Sequence, residues 1–306
     1  MSHSFLLSTC YLVICALGSL AFFKPDTSIS ILQKYQFEKP VMGTNFRIVM
    51  YHHDENEAKF AADSAFQKID RLNNIFSNFQ EDSEAMSIST TPIRVSDDFW
   101  HVLMISKKIF YCSNGAFDVT IGPASKLWRK AIRRGEKPTN KEINEANKKV
   151  GFQYILMNDE SKEVSFQKDG MILDFGGIVK GYAVDEAYKT IIRNKIEYVL
   201  VDGGGDIFAG KHPENGWIIN FEKTGCKLSV ENLAVASSGP IFQNLTIGKT
   251  TFSHIINPQK AEGLKNSEII NIMGPSCILA DALATVMSLN LNSDILEKHF
   301  SEYISL

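Results

Sequence analysis

The segment FRIVMYH, residues 46–52, carries the apolar alternation of a strand and marks the first element of the fold. Over residues 56–76 the period changes. Phe60, Ala61, Ala65, Ile69, Leu72 and Phe76 recur mostly at three- and four-residue intervals with charges between them, which predicts an amphipathic helix. A second helix is expected over 97–112, with Ser96 or Asp97 as N-cap, Phe99, Val102, Leu103, Ile105 and Ile109 on its apolar side, and Asn114-Gly115 as its stop. The basic stretch WRKAIRRGEKP is expected to be exposed, and a third helix follows over 139–150, capped by Thr139 or Asn140. From Tyr154 the pattern predicts short hairpin strands in YILMN, EVSFQ and MILDF, with Asp159-Glu160 and Asp169-Gly170 between them. LDFGGIVKGYAVDEAYK, residues 173–189, then turns into a helix. EYVLVDGGGD, WIINFE, LAVASSG and FSHIINPQ read as strands, and CILADALATVMSLN, residues 277–290, as an apolar helix. Strands and helices interleave without a long linker, so the pattern predicts one interwoven mixed α/β (α+β) domain over residues 37–306.

Residues 1–23 stand apart, because positions 5–23 form a run of nineteen residues without a charge. Such a run reads as a signal peptide or membrane anchor, with a buried core helix as the alternative. It makes an exported protein the expectation, with membrane contact through this segment and a linker over 24–36. Composition changes this picture little. A hydrophobic fraction of 44% and a charged fraction of 22% are those of a globular chain and exclude a disordered one. A formal charge of −3, with no Lys/Arg stripe interleaved with aromatics, argues against a nucleic-acid partner. Beyond the leader, Cys112, Cys226 and Cys277 are widely separated and lack C-x-x-C spacing, so they form neither a zinc framework nor a complete disulfide set.

Candidate chemistry begins at residues 173–189. Two adjacent glycines after a strand admit a ligand to the backbone, and the following helix presents unpaired N–H groups, a geometry suited to phosphate. Lys180 would add a cation, and Asp174 could accept hydrogen bonds or lie near a metal; a plain strand-to-helix turn with an exposed lysine is the alternative. In the 277–290 helix, Asp281 and Thr285 stand four residues apart, which places both oxygens on one face as ligands for a hard cation such as Mg²⁺. Asp281 would otherwise be an N-cap, and Thr285 would bond back to a preceding carbonyl. His254, in FSHIINPQ, is a structural histidine unless it faces a phosphate site, where it could accept a hydroxyl proton. In NGAFDVTIGP, Phe117 beside Asp118 suits a planar heterocycle, although a turn explains the segment equally. VDGGGD, residues 201–206, has the look of a nucleotide loop but no helix follows it.

These segments, in this order, resemble the ApbE family of FAD:protein FMN transferases. The resemblance rests on MGT (42–44), FSNFQEDSE (76–84), GAFDVTIGP (115–123), LDFGGIVKGYAVD (173–185), VDGGGD (201–206), ASSG (236–239), SHIINP (253–258) and ADALAT (280–285). It implies a mixed α/β fold that binds FAD with Mg²⁺, releases AMP, and attaches FMN to a Thr or Ser of a redox protein's flavoprotein subunit. The expected place is the periplasm or the periplasm-facing inner membrane. By position, Met42, Phe79, Ala116, Phe117, Asp118, Asp174, Lys180 and Ile256 match flavin-site residues, and Gly177, Asp281, Ala284 and Thr285 match the metal site. His254 and Lys180 are the expected catalytic pair. Phe79 stands where the family often has Tyr. The family's H-x-x-D-P reads HIINP here, so Asn257 replaces an acid, and SSGPIFQN lacks the aromatic hydroxyl and arginine of the family's SGxYxR-like segment. These departures keep two further readings open, an FAD pyrophosphatase and an exported flavin-binding protein without catalysis.

Overall fold

The computed structural model describes residues 31–221, 225–239, 244–247, 250–265, 268–289 and 294–305. The expected leader, residues 1–23, and the greater part of the expected linker lie outside them. Among the described residues no helix is long and apolar enough to cross a membrane.

In chain order the fold opens with β1 (Gln33–Val41), β2 (Thr44–His52), α1 (Glu55–Phe76), α2 (Glu84–Ser87), β3 (Ile93–Arg94) and α3 (Asp97–Cys112). It continues through α4 (Gly122–Arg134), α5 (Asn140–Asn147), β4 (Ile155–Asn158), β5 (Glu163–Phe166), α6 (Val179–Arg193), β6 (Tyr198–Asp202) and β7 (Ile207–Ala209). The remainder comprises β8 (Trp217–Phe221), β9 (Cys226–Val230), β10 (Leu233–Ser238), β11 (Asn244–Ile247), β12 (Thr250–Asn257), β13 (Glu262–Lys265) and β14 (Ile270–Gly274). Helices α7 (Cys277–Ser288) and α8 (Ile295–His299) and strand β15 (Ile304–Ser305) close it.

The main sheet runs β1-β2-β6-β7-β10-β14-β15, with every neighbouring pair antiparallel. Both of its faces are covered. Phe46, Ile48 and Met50 of β2, Val199 and Val201 of β6, and Ala234 and Ala236 of β10 point into the core shared with α1, α6 and α7. The alternate residues Val49, Leu200 and Val235 point the other way, onto the β8–β9 hairpin with Trp217, Ile219 and Phe221. A strand buried on both faces loses the polar half of its alternation, which is why β6 reads YVLV. Two small sheets, β3-β5-β4 and β11-β12-β13, flank this framework.

Several sequence expectations are met within a residue or two. Helix α1 spans Glu55–Phe76, and Ser96 caps α3 by accepting from the Phe99 N–H. Thr139 and Glu142 close a full capping box on α5. Other expectations change. Strand β1 takes up residues 33–36 of the stretch read as linker. Phe60, counted on the apolar side of α1, is 65% exposed; that helix buries alanines 58, 61, 62 and 65 instead. The basic stretch beginning at Trp128 forms the second half of α4; Lys130, Arg133 and Arg134 are exposed as expected, but Trp128 and Ala131 pack with Ala124 against Phe252 of β12. Trp128 is buried and donates its indole N–H to the Ala261 carbonyl at 2.8 Å. MILDF forms no ladder strand; only Ile172 makes an isolated bridge, to Ile121.

Candidate functional site

A cavity of about 1140 Å³ opens where the start of α6, the middle of α7, the β1–β2 turn, α4 and strand β8 converge. It exceeds the ~300–1,000 Å³ of most small-molecule pockets, so it has room for an extended ligand. Its floor is the segment that enters α6. There the Asp174 N–H donates to the Val119 carbonyl at 2.7 Å, and the Asp174 carboxylate accepts from the Gly176 N–H at 2.9 Å. This Asx turn ends the run of residues that resembled a strand and releases the chain into the cavity. Ile178, the N-cap residue of α6, offers no side-chain hydrogen bond to the first turn.

Helix α7 lies against this floor. Asp281 and Thr285, one turn apart, both line the cavity. At Gly177 an added Cβ would stand 2.9 Å from the Thr285 hydroxyl, so only a residue without a side chain lets the two segments meet this closely. Asp281 is buried and accepts a hydrogen bond from the Gly181 N–H at 3.1 Å. It is a mid-helix residue and not the N-cap of the alternative sequence reading.

Lys180 reaches between two acids. Its ammonium hydrogen-bonds Asp206 and lies 3.9 Å from Asp281. Burial disfavours its charge, but the two carboxylates and the Asp206 hydrogen bond outweigh that and raise its pKa, so it is a fixed cation. Burial raises the pKa of Asp281, with Asp206 adding repulsion and Lys180 opposing. Asp206 is displaced upward for the same first reason. It is 1% exposed and stands behind the cavity wall; its Oδ1 is buried without a hydrogen bond of normal geometry, and the Ser237 N–H lends it only electrostatic support. The glycine run of VDGGGD is a turn that delivers this acid. Asp202 accepts from the Gly204 and Gly205 N–H groups, and the Gly203 N–H bonds the Asp206 carbonyl.

The other lobe is aromatic and cationic. Phe79 is exposed, and the Arg129 guanidinium of α4 lies 4.4 Å from its ring centroid. Arg129 also donates to the Asn78 side-chain oxygen at 3.3 Å and lies 3.7 Å from the Asp174 carboxylate. Met42 and Gly43 form the β1–β2 turn with φ of 52° and 73° and also line the cavity. Asp118 lines it too, but its oxygens are engaged elsewhere. One accepts from the N–H and hydroxyl of Thr120, the other from the Phe152 N–H. Burial raises its pKa, with those bonds opposing. Asp118 therefore serves the turn as well as lining the cavity: it pins the 117–121 segment to residues 151–152. Asp118→Ala should cost about 3 kcal/mol of stability, by orphaning two buried N–H groups, in denaturant unfolding.

The family profile described as the ApbE family matches residues 42–299. The chain belongs to the ApbE family. Among its relatives, the FAD:protein FMN transferase of Chlamydia pneumoniae is 28% identical over 305 residues, covering 95% of this chain and 93% of that protein. The Haemophilus influenzae protein of the same name is 27% identical, covering 92% and 86%. Among solved structures, the ApbE protein of Thermotoga maritima superposes with a TM-score of 0.78 at 25% identity, covering 87% of this chain and 89% of that one. The flavin transferase ApbE of Vibrio cholerae superposes with a TM-score of 0.74 at 23% identity, covering 88% and 92%. The mixed α/β architecture is thus the ApbE fold.

In this ApbE-family chain, Met42, Phe79, Ala116, Phe117, Asp118, Asp174, Gly177, Lys180, Ile256, Asp281 and Thr285 all line the one cavity. Ala284 does not. It is buried in the core, and its carbonyl accepts from the Ser288 hydroxyl at 2.8 Å. His254 lies on β12, and its side chain is outside the described residues. Asn257 is buried and uses its Oδ1 to accept from the Gln259 and Lys260 N–H groups, so it closes the turn after β12 as an uncharged acceptor. In SSGPIFQN, Ser237 donates to Asn271, and residues 240–243 lie outside the described residues. Sequence reasoning missed Asp206, whose only signal was an acid closing a glycine run, and Arg129, which was hidden in a basic stretch expected to be exposed.

Proposed function

We propose that this protein transfers FMN from FAD to a Thr or Ser hydroxyl of an exported or membrane-bound flavoprotein subunit, with Mg²⁺ required and AMP released. The observation that carries this reading is that Gly177 and Lys180, from the turn and first turn of α6, and Asp281 and Thr285 of α7, a hundred residues on in sequence, line one cavity. The names of the relatives support it.

The donor set fits a hard cation. A carboxylate and a hydroxyl lie on one helical face against a close glycine backbone, and no three His, Cys, Asp or Glu side chains cluster among the described residues. Two side-chain oxygens leave coordination positions for water and ligand phosphate, the habit of Mg²⁺. Bound there, the ion would neutralise pyrophosphate charge. Lys180, held as ammonium by Asp206, places a positive charge beside the same phosphates, and the uncapped first turn of α6 adds its dipole. The aromatic lobe at Phe79 and Arg129 offers a stacking surface to a planar ring. In the reaction the acceptor oxygen forms a bond to the FMN phosphorus, the P–O bond to the bridging oxygen breaks, and that oxygen leaves with AMP. His254 is assigned to take or orient the hydroxyl proton on the strength of the sequence resemblance. Residues 5–23 support a place outside the cytoplasm.

The test is to incubate the protein with FAD, Mg²⁺ and a threonine-bearing acceptor. Covalent flavin on the acceptor with stoichiometric AMP is the expected result. Free FMN with AMP and no labelled acceptor would make it a pyrophosphatase; intact FAD would make it a flavin-binding protein.

A further inference from the structure

Helix α7 begins at Ser276, the residue type that most often caps a helix N-terminus, yet Ser276 makes no side-chain cap. Its hydroxyl bonds the hydroxyl of Tyr303 at 2.8 Å instead. The capping task passes to another helix. Asp185, on α6, accepts from the Cys277 N–H at 2.9 Å through one carboxylate oxygen and from the Ile278 N–H at 3.0 Å through the other. Asp185 is 5% exposed, so both bonds are shielded from water.

One turn earlier on α6, Gly181 makes the companion contact. Its N–H donates to Asp281, and a Cβ there would stand 2.3 Å from the Cys277 carbonyl oxygen and 2.9 Å from the Asp281 Cβ. Gly181 and Asp185 share one face of α6; the Cys277–Ile278 pair and Asp281 lie a turn apart on α7. Two contacts at matched spacing remove both sliding along the helix axis and rotation about it. Lys180 and Gly177 belong to the α6 side of this joint, Asp281 and Thr285 to the α7 side.

We infer that Asp185 is a positioning residue: by capping α7 across the helix pair, it sets where Asp281 and Thr285 stand relative to Gly177 and Lys180. Burial pushes its carboxyl up to about 6 while the two N–H bonds oppose, so at neutral pH it is ionised and places a full negative charge at the positive end of α7. Asp185 is absent from the cavity wall. The inference rests on the proposed cation site for its functional meaning, and on the helix joint alone for its structural meaning.

The test uses the whole protein in its wild-type, Asp185→Asn, Asp281→Asn and Leu103→Ala forms. Asn keeps the shape of Asp185 but turns an amide donor toward one of the two N–H groups. Leu103 is fully buried on α3 and outside the cavity wall, so its truncation reports general destabilisation. Mg²⁺ alone, titrated calorimetrically, should bind Asp185→Asn about 10- to 100-fold more weakly than wild type, the range for groups that orient a metal ligand. Leu103→Ala should bind as wild type does. Amide hydrogen exchange over residues 277–288, measured without metal, should accelerate in Asp185→Asn beyond the uniform increase that Leu103→Ala produces across the core. Unchanged exchange over α7 in Asp185→Asn would overturn the inference, as would faster exchange with wild-type Mg²⁺ affinity. Absence of Mg²⁺ binding in wild type would instead overturn the cation site, and the exchange measurement would then decide the role of Asp185 by itself.

Discussion

Asp281→Asn should lower FMN transfer about 10³-fold, equivalent to about 4 kcal/mol of transition-state stabilisation, while the protein stays folded. Asn preserves the oxygen that accepts from the buried Gly181 N–H, so no backbone group is orphaned. What disappears is the charge. Asp281 is buried and repelled by Asp206, so a neutral amide should leave the melting temperature in the absence of metal unchanged or higher. The expected signature is therefore a split: a lost Mg²⁺-dependent rate and a lost Mg²⁺-induced rise in melting temperature, with an intact fold. Initial rates with FAD and a threonine-bearing acceptor, paired with thermal unfolding with and without Mg²⁺, measure both. Near-normal transfer by this variant would remove Asp281 from the proposed cation site.

Lys180→Met should destabilise the protein by about 3 kcal/mol near neutral pH, because it leaves a buried acid without its counter-ion. That is the low end of the range for breaking a buried pair, since the Lys180 side chain is 29% exposed and partly screened, whereas Asp206 is 1% exposed. The sign of the pH dependence follows from Asp206. Burial already raises its pKa, and removing the ammonium takes away the main opposing influence. The native state of the variant then binds a proton that the unfolded chain has released, so its stability falls as pH rises from the ordinary carboxylate range through the raised native value. Denaturant unfolding should therefore show a smaller loss at pH 5 than at pH 7.5. Combining Lys180→Met with Asp206→Asn should recover most of the stability and none of the transfer activity. A pH-independent loss, or no recovery in the double variant, would mean that Lys180 and Asp206 are not each other's partner.

The errors of sequence reading have physical causes. The helix in the basic stretch from Trp128 went unread because Arg129, Lys130, Arg133 and Arg134 dominate it, although Ala124, Trp128 and Ala131 keep helical spacing and fill a satellite core with Phe252. MILDF has the composition of a strand, but the Asp174 side chain turns the backbone at Gly176. Phe60 carries the hydrophobicity of a core residue, yet close packing of α1 on α6 selects the alanines of the helix and leaves Phe60 outside. At Trp128 and Phe60 a local preference gave way to a contact made by a distant segment; at MILDF one local preference gave way to another.

The sequence by itself determined what depends on near neighbours: the periods of α1, α3 and most strands, the caps at Ser96 and Thr139, and the i, i+4 pairing of Asp281 with Thr285. It also carried the ordered motifs of the ApbE family. Only the tertiary structure decided that Asp206 meets Lys180 across 26 positions, that Asp118 serves a turn, that Ala284 faces the core, and that Asp185 caps a helix 92 residues away. A buried charge or an unsatisfied N–H is costly until something pairs with it, and which group arrives to do so depends on how helices and sheets stack. Here the stacking turns on Gly181, where the missing side chain lets α6 and α7 approach closely enough for those pairs to form.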